Sequence, residues 1–372
     1  MTRYRIAEMP GDGVGVEVVE AAKLVLDTVG FKADYRPGDI GWEFWKSEGN
    51  ALPDRTIELL RNTDCALFGA ITSKPKDEAA KELDPSLRDR GYVYFSPIVG
   101  MRQLFQLHTN MRPCRSYTGN PLNVKDGIDL VVFRENTEGL YAGIEWWPVP
   151  DEVRETFLKH HKKWGPFQEF PPEDVAVSLR VISRRGARRI VRSGFEYARK
   201  FKRTRLTLAE KPNVLRETSG LMTKVAREMA AEYPDVPMDE ANIDAMAMWL
   251  VKDPEKYQVI VASNLFGDIL SDLGGGLVGG LGFAAAANIG DDYAVFEPTH
   301  GSAPKYAGQG VVNPIAMILA SKLMLDHLGE TEMGAVIERA VAEVVKEGAV
   351  RTKDLGGTNS TMEMARAIAS RI

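Results

Sequence analysis

Residues 5–29 read RIAEMPGDGVGVEVVEAAKLVLDTV, and this stretch decides the fold class. Residues 5–9 predict a short strand, and residues 15–29 repeat apolar side chains at helical spacing. A glycine-rich turn joins the two segments. Its glycines stand at positions 11, 13 and 15, which is not the G-x-G-x-x-G spacing of a dinucleotide-binding loop. We therefore predict a tight turn here, with a weak phosphate-binding loop as the alternative.

The same alternation of strand and helix continues along the chain. Apolar runs predict buried strands at 64–71, 130–133 and 258–262, and an apolar stripe over 186–200 predicts a helix. Such alternation is typical of an α/β fold with a largely parallel sheet. Residues 274–282, GGGLVGGLG, follow a predicted helix and allow either close backbone approach or a flexible connection.

Composition limits the kinds of partner that we expect. The 372 residues exceed the roughly 100–200 of one domain, which predicts two lobes. With 47 basic and 52 acidic residues, the net charge of -5 gives no global attraction to nucleic acid or an anionic membrane. The apolar runs are too short for a membrane span, and no secretory segment is visible. Two cysteines, Cys65 and Cys114, predict a reducing, cytoplasmic location instead of a disulfide framework.

Residues 147–174 differ in composition from the rest of the chain. They include five prolines and the run HHKK at 160–163. This composition predicts a peripheral arm, with the basic run on a solvated helix face. His160 and His161 are adjacent and point to different sides, which is poor spacing for metal ligands.

Acidic side chains follow the strand predicted at 258–262. Asp268 and Asp272, in NLFGDILSD, are four residues apart, so both carboxylates lie on one face of a helix. Their mutual repulsion calls for a neutralising partner, and hard cations such as Mg²⁺ or Mn²⁺ prefer oxygen ligands. Asp244 stands in an apolar segment and also needs a partner. The alternative is that Asp268 favours a helix N-terminus while Asp272 is solvated.

A candidate anion site is made of three arginines: Arg102, Arg112 and Arg134. Arg134 directly follows a predicted strand, where the loops of α/β sheets carry function. Guanidinium groups bind carboxylates in bidentate fashion, so three of them together suit a di- or tricarboxylic acid. The alternative is ordinary ion pairing with Glu135 or Glu138.

Two further side chains have the chemistry for proton transfer. They are Tyr141, in YAGIEW, and Lys211, in AEKPNV, each at a border between apolar and polar residues. Either exchanges protons with a substrate if its pKa is suitably shifted, and the alternative for each is a structural role.

Six motifs occur in one order over nearly the whole chain: PGDGVG, MRQLFQLHTNMRP, FRENTEGLYAGIEW, NLFGDILSD, ANIGDDYAVFEPTHGSAPKYAGQGVVNP and TKDLGG. Together they resemble the isocitrate/isopropylmalate dehydrogenase family, the metal-dependent decarboxylating dehydrogenases of 2-hydroxy acids. THGSAPKYAG and RENTEG are the most diagnostic stretches. The motifs are closest to those of the isocitrate dehydrogenases.

The resemblance implies an isopropylmalate dehydrogenase-like two-domain α/β fold that is not a Rossmann fold. The large, cofactor-side domain would hold residues 1–100 and 250–372, and the small domain residues 101–249. Residues 147–174 would form a dimer clasp. The enzyme would be a homodimer with shared active sites, and Lys211 and Asp244 would serve the neighbour's site.

The resemblance also implies a role for each candidate residue. Tyr141 resembles the general acid that protonates the enol carbon, and Lys211 the proton shuttle at the substrate hydroxyl. The arginines resemble the carboxylate clamp, and Asp244, Asp268 and Asp272 the ligands of Mg²⁺ or Mn²⁺. The cofactor pocket would be formed by Thr72, His300, Gly301, Ser302, Ala303, Lys305, Tyr306 and Asn313.

The same motifs bear on cofactor choice. Lys305 replaces the acidic residue usual in NAD-dependent relatives, and a lysine attracts the 2′-phosphate of NADP. However, no tyrosine follows Tyr306, and the tail RTKDLGGTNST looks more like the NAD-dependent members. We predict NADP, with NAD as the alternative.

Substrate choice also has indications on both sides. Ser96 stands where isocitrate-specific members carry a serine, whereas the apolar Ile98 and Val99 are more like an isopropylmalate pocket. Isocitrate is the first prediction. The alternatives are 3-isopropylmalate, homoisocitrate, tartrate or malate, another 3-substituted malate, and a non-catalytic regulatory subunit.

Overall fold

Twelve strands run through the part of the chain that the computed structural model describes, residues 4–372. They are Tyr4–Gly11 (β1), Ala33–Pro37 (β2), Cys65–Ala70 (β3), Thr109–Arg115 (β4), Asp129–Glu135 (β5), Glu145–Trp146 (β6), Val177–Ser178 (β7), Leu206–Glu210 (β8), Met238–Asn242 (β9), Val259–Ala262 (β10), Ala285–Ile289 (β11) and Ala294–Pro298 (β12).

Ten of these strands form one sheet in the order β2-β1-β3-β12-β11-β4-β5-β10-β8-β9. The strands of each flank run parallel, whereas the central neighbours β12, β11, β4 and β5 pair antiparallel. Such a mixed order is common in large sheets whose faces are covered by helices. The short strands β6 and β7 form a separate antiparallel pair.

Fourteen α-helices accompany the strands within residues 4–372. They are Gly15–Thr28 (α1), Trp42–Glu48 (α2), Asp54–Arg61 (α3), Lys76–Lys81 (α4), Pro97–Leu104 (α5), Asp151–His160 (α6), Gly165–Gln168 (α7), Arg184–Lys200 (α8), Thr218–Ala230 (α9), Ile243–Lys252 (α10), Asn264–Leu277 (α11), Ile315–His327 (α12), Thr331–Glu347 (α13) and Thr361–Ala369 (α14). Within the described residues, none of these helices has the length and apolarity to cross a membrane. The α/β prediction is confirmed.

The turn between β1 and α1 is held by close backbone approach. Gly11 has φ 70°, and a Cβ built there would lie 2.0 Å from the carbonyl oxygen of Ala70. Gly13 has φ 56°, and its Cβ would lie 2.1 Å from the carbonyl oxygen of Ser302. Only glycine is suitable at these two positions, because residues with a side chain rarely adopt positive φ and a side chain has no room here. These glycines bring the turn against two neighbouring loops.

The other predicted elements agree with the structure to within a few residues. The strands at 64–71, 130–133 and 258–262 correspond to β3, β5 and β10, and the helix at 186–200 corresponds to α8. The prediction that the glycine-rich residues 274–282 follow a helix needs a correction, because Gly274 to Gly276 lie in the last turns of α11. A Cβ at Gly274 would be 2.6 Å from the Cys114 sulfur, so this glycine lets α11 lie close to β4.

Residues 147–174 form an excursion between β6 and β7. The excursion contains α6 and α7, and its apolar side chains are solvent-exposed at Trp147, Leu158, Phe167 and Phe170. The basic run 160–163 begins at the end of α6 and is exposed, as predicted. The division into two domains stays a prediction. In the sheet, β10, from the predicted large domain, lies between β5 and β8, from the predicted small domain.

Candidate active site

Neighbouring strands deliver the arginines to one side of the sheet. In the antiparallel pair β4 and β5, Arg112 lies opposite Val132 and Asn110 lies opposite Arg134. Alternation along each strand therefore puts Arg112 and Arg134 on the same face. Arg134 is 2% exposed, and Arg102, on α5, is 8% exposed. Burial lowers the pKa of Arg134 to about 10, which leaves Arg134 cationic near neutral pH, and burial also lowers the pKa of Arg102.

Helix α11 supplies the carboxylates that face these arginines. Arg134 donates to Asp268 Oδ1, and Arg112 Nη1 lies 2.7 Å from Asp272 Oδ1 and 3.4 Å from Asp268 Oδ1. Gly267 makes the approach possible, because a Cβ there would lie 2.6 Å from Arg134 Cβ. The two like charges on one helix face are thus balanced by guanidinium groups of the same chain.

Tyr141 completes this cluster. Its hydroxyl donates to Asp268 Oδ2, and the Arg134 guanidinium carbon lies 4.9 Å from the centre of its ring. Partial burial, followed by the Asp268 hydrogen bond, raises the pKa of Tyr141 above its ordinary 10.0. The phenol is therefore protonated near neutral pH and has a proton to give.

The donor set of α11 fits a hard divalent cation. Asp268 and Asp272 offer carboxylate oxygens on one face, with side chains 26% and 62% exposed. Magnesium is commonly held by one or two carboxylates, with water or substrate oxygens in the remaining positions. Within residues 4–372, no three acidic, histidine or cysteine side chains gather as a complete site.

Lys211 and Asp244 form a second, separate pair. Lys211 follows β8 and donates to Asp244 on α10, and this bond lowers the pKa of Asp244. Among the described residues, neither side chain forms a hydrogen bond or ion pair with the arginines or with α11. A single chain therefore leaves these two predicted site residues outside the cluster, and their service to a neighbour stays a prediction.

The predicted cofactor residues lie on loops that are bonded to one another. Thr72 Oγ1 and Ser302 Oγ are 2.7 Å apart, and the Val14 amide donates to the Ser302 carbonyl at 2.9 Å. Asp12 joins these loops, since its carboxylate accepts the amides of Trp42 at 2.7 Å and Thr72 at 2.8 Å. The sequence reasoning quoted the motif containing Asp12 without assigning this residue a role.

The other predicted cofactor residues continue from Ser302. Ala303 has φ 38°, an uncommon value for a non-glycine residue. His300 Nδ1 lies 3.0 Å from the Gly301 carbonyl oxygen, and burial lowers the pKa of His300. The Asn313 side chain donates to Asp354 and accepts from the Ile315 amide, each at 3.0 Å. The loop conformation is therefore fixed by its own hydrogen bonds.

Two lysines flank Tyr306. The Lys305 ammonium lies 4.8 Å from the centre of the Tyr306 ring, and the Lys353 ammonium lies 5.4 Å from it. Lys353 comes from TKDLGG, some fifty positions later in the sequence, and was not predicted. The only feature of the sequence that indicates Lys353 is its positive charge in the tail segment RTKDLGGTNST, which contains no tyrosine.

The predicted specificity residues begin α5. Ser96 precedes the first turn and makes no side-chain capping bond. Ile98 is partly buried against a core cluster that includes Met9, Phe68 and Met101. Packing in the core gives Ile98 a structural reason to be apolar, apart from any contact with substrate.

A model of the isocitrate/isopropylmalate dehydrogenase family matches residues 5–368. The chain belongs to this family. Over 98% of its length it is 40% identical to a 3-isopropylmalate dehydrogenase of Archaeoglobus fulgidus, covering 98% of that protein. It is 43% identical, again over 98% of its length, to Protein DlpA of Legionella pneumophila, of which it spans 58%. Family membership makes the chain an enzyme of the decarboxylating dehydrogenase type.

The fold comparison agrees with the family assignment. The crystal structure of isocitrate dehydrogenase from Methylococcus capsulatus superimposes with a TM-score of 0.85 at 39% identity, covering 99% of each chain. This confirms the predicted family and an isopropylmalate dehydrogenase-like fold that is not a Rossmann fold. Members of the family use a divalent metal and NAD or NADP.

Proposed function

We propose that this chain oxidatively decarboxylates a 2-hydroxy di- or tricarboxylic acid, with isocitrate to 2-oxoglutarate as the first candidate and NADP as hydride acceptor. The observation that carries the proposal is the cluster of Arg112, Arg134, Asp268, Asp272 and Tyr141. It places two buried or nearly buried cations, two carboxylates and a protonated phenol in mutual contact. Such a cluster suits a polycarboxylic acid that must also be oriented and protonated.

The roles of the chain's residues follow from their chemistry. Arg112 and Arg134 offer donors to the substrate carboxylates and fix their orientation. A divalent cation held by Asp268 and Asp272 would polarise the hydroxyl and, later, the carbonyl oxygen of the substrate. Tyr141 donates its proton to the enol carbon left by loss of CO₂. Arg102 completes the anion site from α5.

We propose that Lys211 and Asp244 act in the site of a second copy in a homodimer. Support comes from their separation from the arginine cluster in one chain and from their position near the surface. The exposed apolar side chains of α10, Met248 and Trp249, and of the 147–174 clasp agree with contact to another copy.

Mixing inactive variants tests the shared site. A Tyr141→Phe protomer and a Lys211→Met protomer are each expected to be nearly inactive alone. After joint unfolding and refolding, about half of randomly paired dimers are mixed, and each mixed dimer has one intact site. We expect recovery of about a quarter of wild-type activity. Absence of recovery, with mixed dimers confirmed, would contradict a shared site.

Isocitrate remains the first candidate substrate because Ser96 is free of a capping bond and is available to a substrate carboxylate. The packing of the partly buried Ile98 against the core removes part of the argument for an apolar pocket. The relatives' names include isocitrate/homoisocitrate dehydrogenase of Thermus thermophilus and 3-isopropylmalate dehydrogenase. Homoisocitrate, 3-isopropylmalate, tartrate, malate and other 3-substituted malates are therefore the competing substrates.

We favour NADP because two lysines, Lys305 and Lys353, flank Tyr306. The two positive charges there would attract the 2′-phosphate of NADP. The ribose hydroxyls of NAD would find no carboxylate at position 305 to accept their hydrogen bonds, because the residue is a lysine. A reducing, cytoplasmic location is proposed with it. Both cysteines are buried and free, and burial raises the pKa of Cys114 to about 12, which keeps its thiol unreactive.

A substrate panel tests the whole proposal. The purified chain is assayed with each named acid, with Mg²⁺ or Mn²⁺, and with NADP or NAD, while absorbance follows the reduced cofactor. We expect metal-dependent turnover with the highest kcat/KM for isocitrate and NADP. Preference for another acid or for NAD would replace that part of the proposal. No turnover with any combination would favour a non-catalytic regulatory subunit.

A further inference from the structure

A single buried amide lies behind the predicted substrate arginines. Asn288, on β11, is 0% exposed. Its Oδ1 accepts three hydrogen bonds from three different elements: Arg102 Nε on α5 at 3.0 Å, Asn110 Nδ2 on β4 at 2.9 Å, and Asn136 Nδ2 after β5 at 3.0 Å. No sequence motif singled out this residue for a role.

The chemistry of the neighbours fixes which way this amide points. A guanidinium only donates, so the Asn288 atom facing Arg102 has to be the oxygen. Glu297, when ionised, only accepts, and it receives Asn288 Nδ2 at 2.7 Å. The same logic orients Asn110, whose Oδ1 accepts Arg112 Nε at 2.8 Å. One amide is thus connected to two of the three arginines, directly to Arg102 and through Asn110 to Arg112.

These contacts use the Nε edges of the arginines. Bonding at Nε sets the rotation of a planar guanidinium and leaves terminal nitrogens for other partners. Arg112 Nη1 is directed to Ser271 and Asp272 in this way. Arg102 is nearly buried, and its one other anchor is a long bond of 3.3 Å from Nη2 to Glu297 Oε1. Loss of the Nε partner would therefore leave an unsatisfied donor and a more loosely held guanidinium.

We propose that Asn288 is the positioning residue that aligns Arg102 and Arg112 for the substrate carboxylates. This inference rests on the proposed function, because it gives those arginines a substrate to hold. Asn288 touches neither substrate nor cofactor. It acts on affinity for the acid through the arginines.

The test compares steady-state constants of Asn288→Ala with those of the wild type, with a saturating divalent cation. We expect KM for the hydroxy acid to rise about tenfold to a hundredfold, with KM for the cofactor changed less than about threefold. Asn288→Ser, which keeps a polar atom but cannot reach all three donors, replaces the alanine variant if that variant does not fold. Asn120→Ala is the matched control, since Asn120 is a buried amide bonded to Val278 and Leu122 outside the cluster.

Two further arms separate positioning from a loss of stability. Asn288→Asp combined with Glu297→Gln retains an oxygen for the three donors and replaces the Glu297 carboxylate by an amide that can donate to the new aspartate, so KM for the acid should fall between those of the wild type and the alanine variant. In an Arg102→Lys background, which has no Nε, Asn288→Ala should raise KM by a smaller factor than in the wild type.

Each outcome bears on a different statement. Turnover with an unchanged KM in folded Asn288→Ala or Asn288→Ser would overturn the positioning role alone. Equal effects of Asn288→Ala and Asn120→Ala on KM would do the same. A wild-type protein that turns over no hydroxy acid would overturn the proposed function and this inference with it.

Discussion

Tyr141 gives the sharpest prediction for a single side chain. Replacing it by phenylalanine removes the proton donor and leaves the ring beside Arg134, so the fold should be unchanged. We expect kcat for oxidative decarboxylation to fall about 10²–10⁴-fold. The measurement is the initial rate of cofactor reduction with saturating substrate and metal.

Tyr293→Phe is the control for that experiment, because Tyr293 is a buried tyrosine whose hydroxyl lies 2.8 Å from Thr63, away from the cluster. Its rate should remain near that of the wild type. If Tyr141→Phe retained the full rate, the general-acid role would be wrong.

Lys353 gives a prediction about the cofactor. Lys353→Gln removes a charge near Tyr306 and leaves a polar side chain that is one atom shorter. We expect kcat/KM for NADP to fall about tenfold and kcat/KM for NAD to change little, because only NADP carries the 2′-phosphate. Lys256→Gln, at an exposed lysine that pairs with Asp253, is the control. Equal losses for both cofactors would show that Lys353 does not read the phosphate.

For single side chains, the sequence predicts site residues whose charge is unusual in an apolar segment. It does not predict site residues that are common polar ones. Arginines and aspartates in apolar segments stand out, because burying such charges is costly without partners. Asn288 and Asp12 are common polar residues, and their importance lies in partners that are far away along the chain. Those partners become visible only when the strands and loops have been placed.

Helix α11 carries the prediction at the scale of an element. Asp272 is one turn from Asp268, and both face the arginines. Asp272→Asn removes one carboxylate while keeping the side chain's size. We expect the Mn²⁺ concentration for half-maximal rate to rise at least about tenfold. A titration of the rate with Mn²⁺ measures it, with Glu332→Gln, on an exposed turn of α13, as control. An unchanged titration would remove Asp272 from the metal site.

Elements of strong periodicity were predicted well because their pattern is local. The strand and helix of residues 5–29 and helix α8 are set by apolar spacing that neighbouring residues share. The end of α11 was missed because glycines usually weaken a helix, whereas Gly267 and Gly274 are selected here by close approach to Arg134 and Cys114. That reason depends on which strand lies underneath, and the local sequence does not contain it.

For the whole molecule, the clasp gives a prediction about assembly. Trp147 is 73% exposed and Phe170 is 51% exposed. If residues 147–174 join two copies, Trp147→Lys with Phe170→Lys should shift the protein from dimer to monomer and lower activity, because Lys211 and Asp244 would lose the neighbour they serve. Sedimentation equilibrium measures the mass.

The control for the clasp is Val124→Lys, at an exposed apolar residue between β4 and β5, outside residues 147–174 and away from Lys211. It should leave the mass unchanged. A double-lysine clasp variant that is monomeric and fully active would contradict a site shared between protomers.

Acid sensitivity of the fold is a further property of the whole molecule. Burial and the nearby Lys200 lower the pKa of His327 below its ordinary 6.5. Below pH 6.5, His327 therefore binds a proton more readily in the unfolded chain than in the folded one. The free energy of unfolding decreases as the pH drops below 6.5. We expect the thermal midpoint to fall less between about pH 7.5 and pH 5.5 in His327→Gln than in the wild type. Equal decreases would show that His327 does not contribute.

The residues alone, without the resemblance to a known family, predicted neither the order of the strands nor a second protomer. Alternating strands and helices predicted a sheet, but the antiparallel centre of β12, β11, β4 and β5 depends on which distant segments meet. The resemblance to a known family supplied the fold that local patterns did not. It also supplied the expectation that Lys211 and Asp244 work away from the arginines of their own chain.

The ion pairs between Arg134, Arg112 and α11 have one more consequence. While Asp268 and Asp272 occupy the guanidinium groups, an arriving polyacid competes with carboxylates already in place. A divalent cation that binds Asp268 and Asp272 would free the guanidinium groups of Arg112 and Arg134 for the acid. We therefore expect the acid and the metal each to raise the affinity of the protein for the other. An anion that arrives without a divalent cation should therefore bind these arginines less tightly, because it must first displace Asp268 and Asp272.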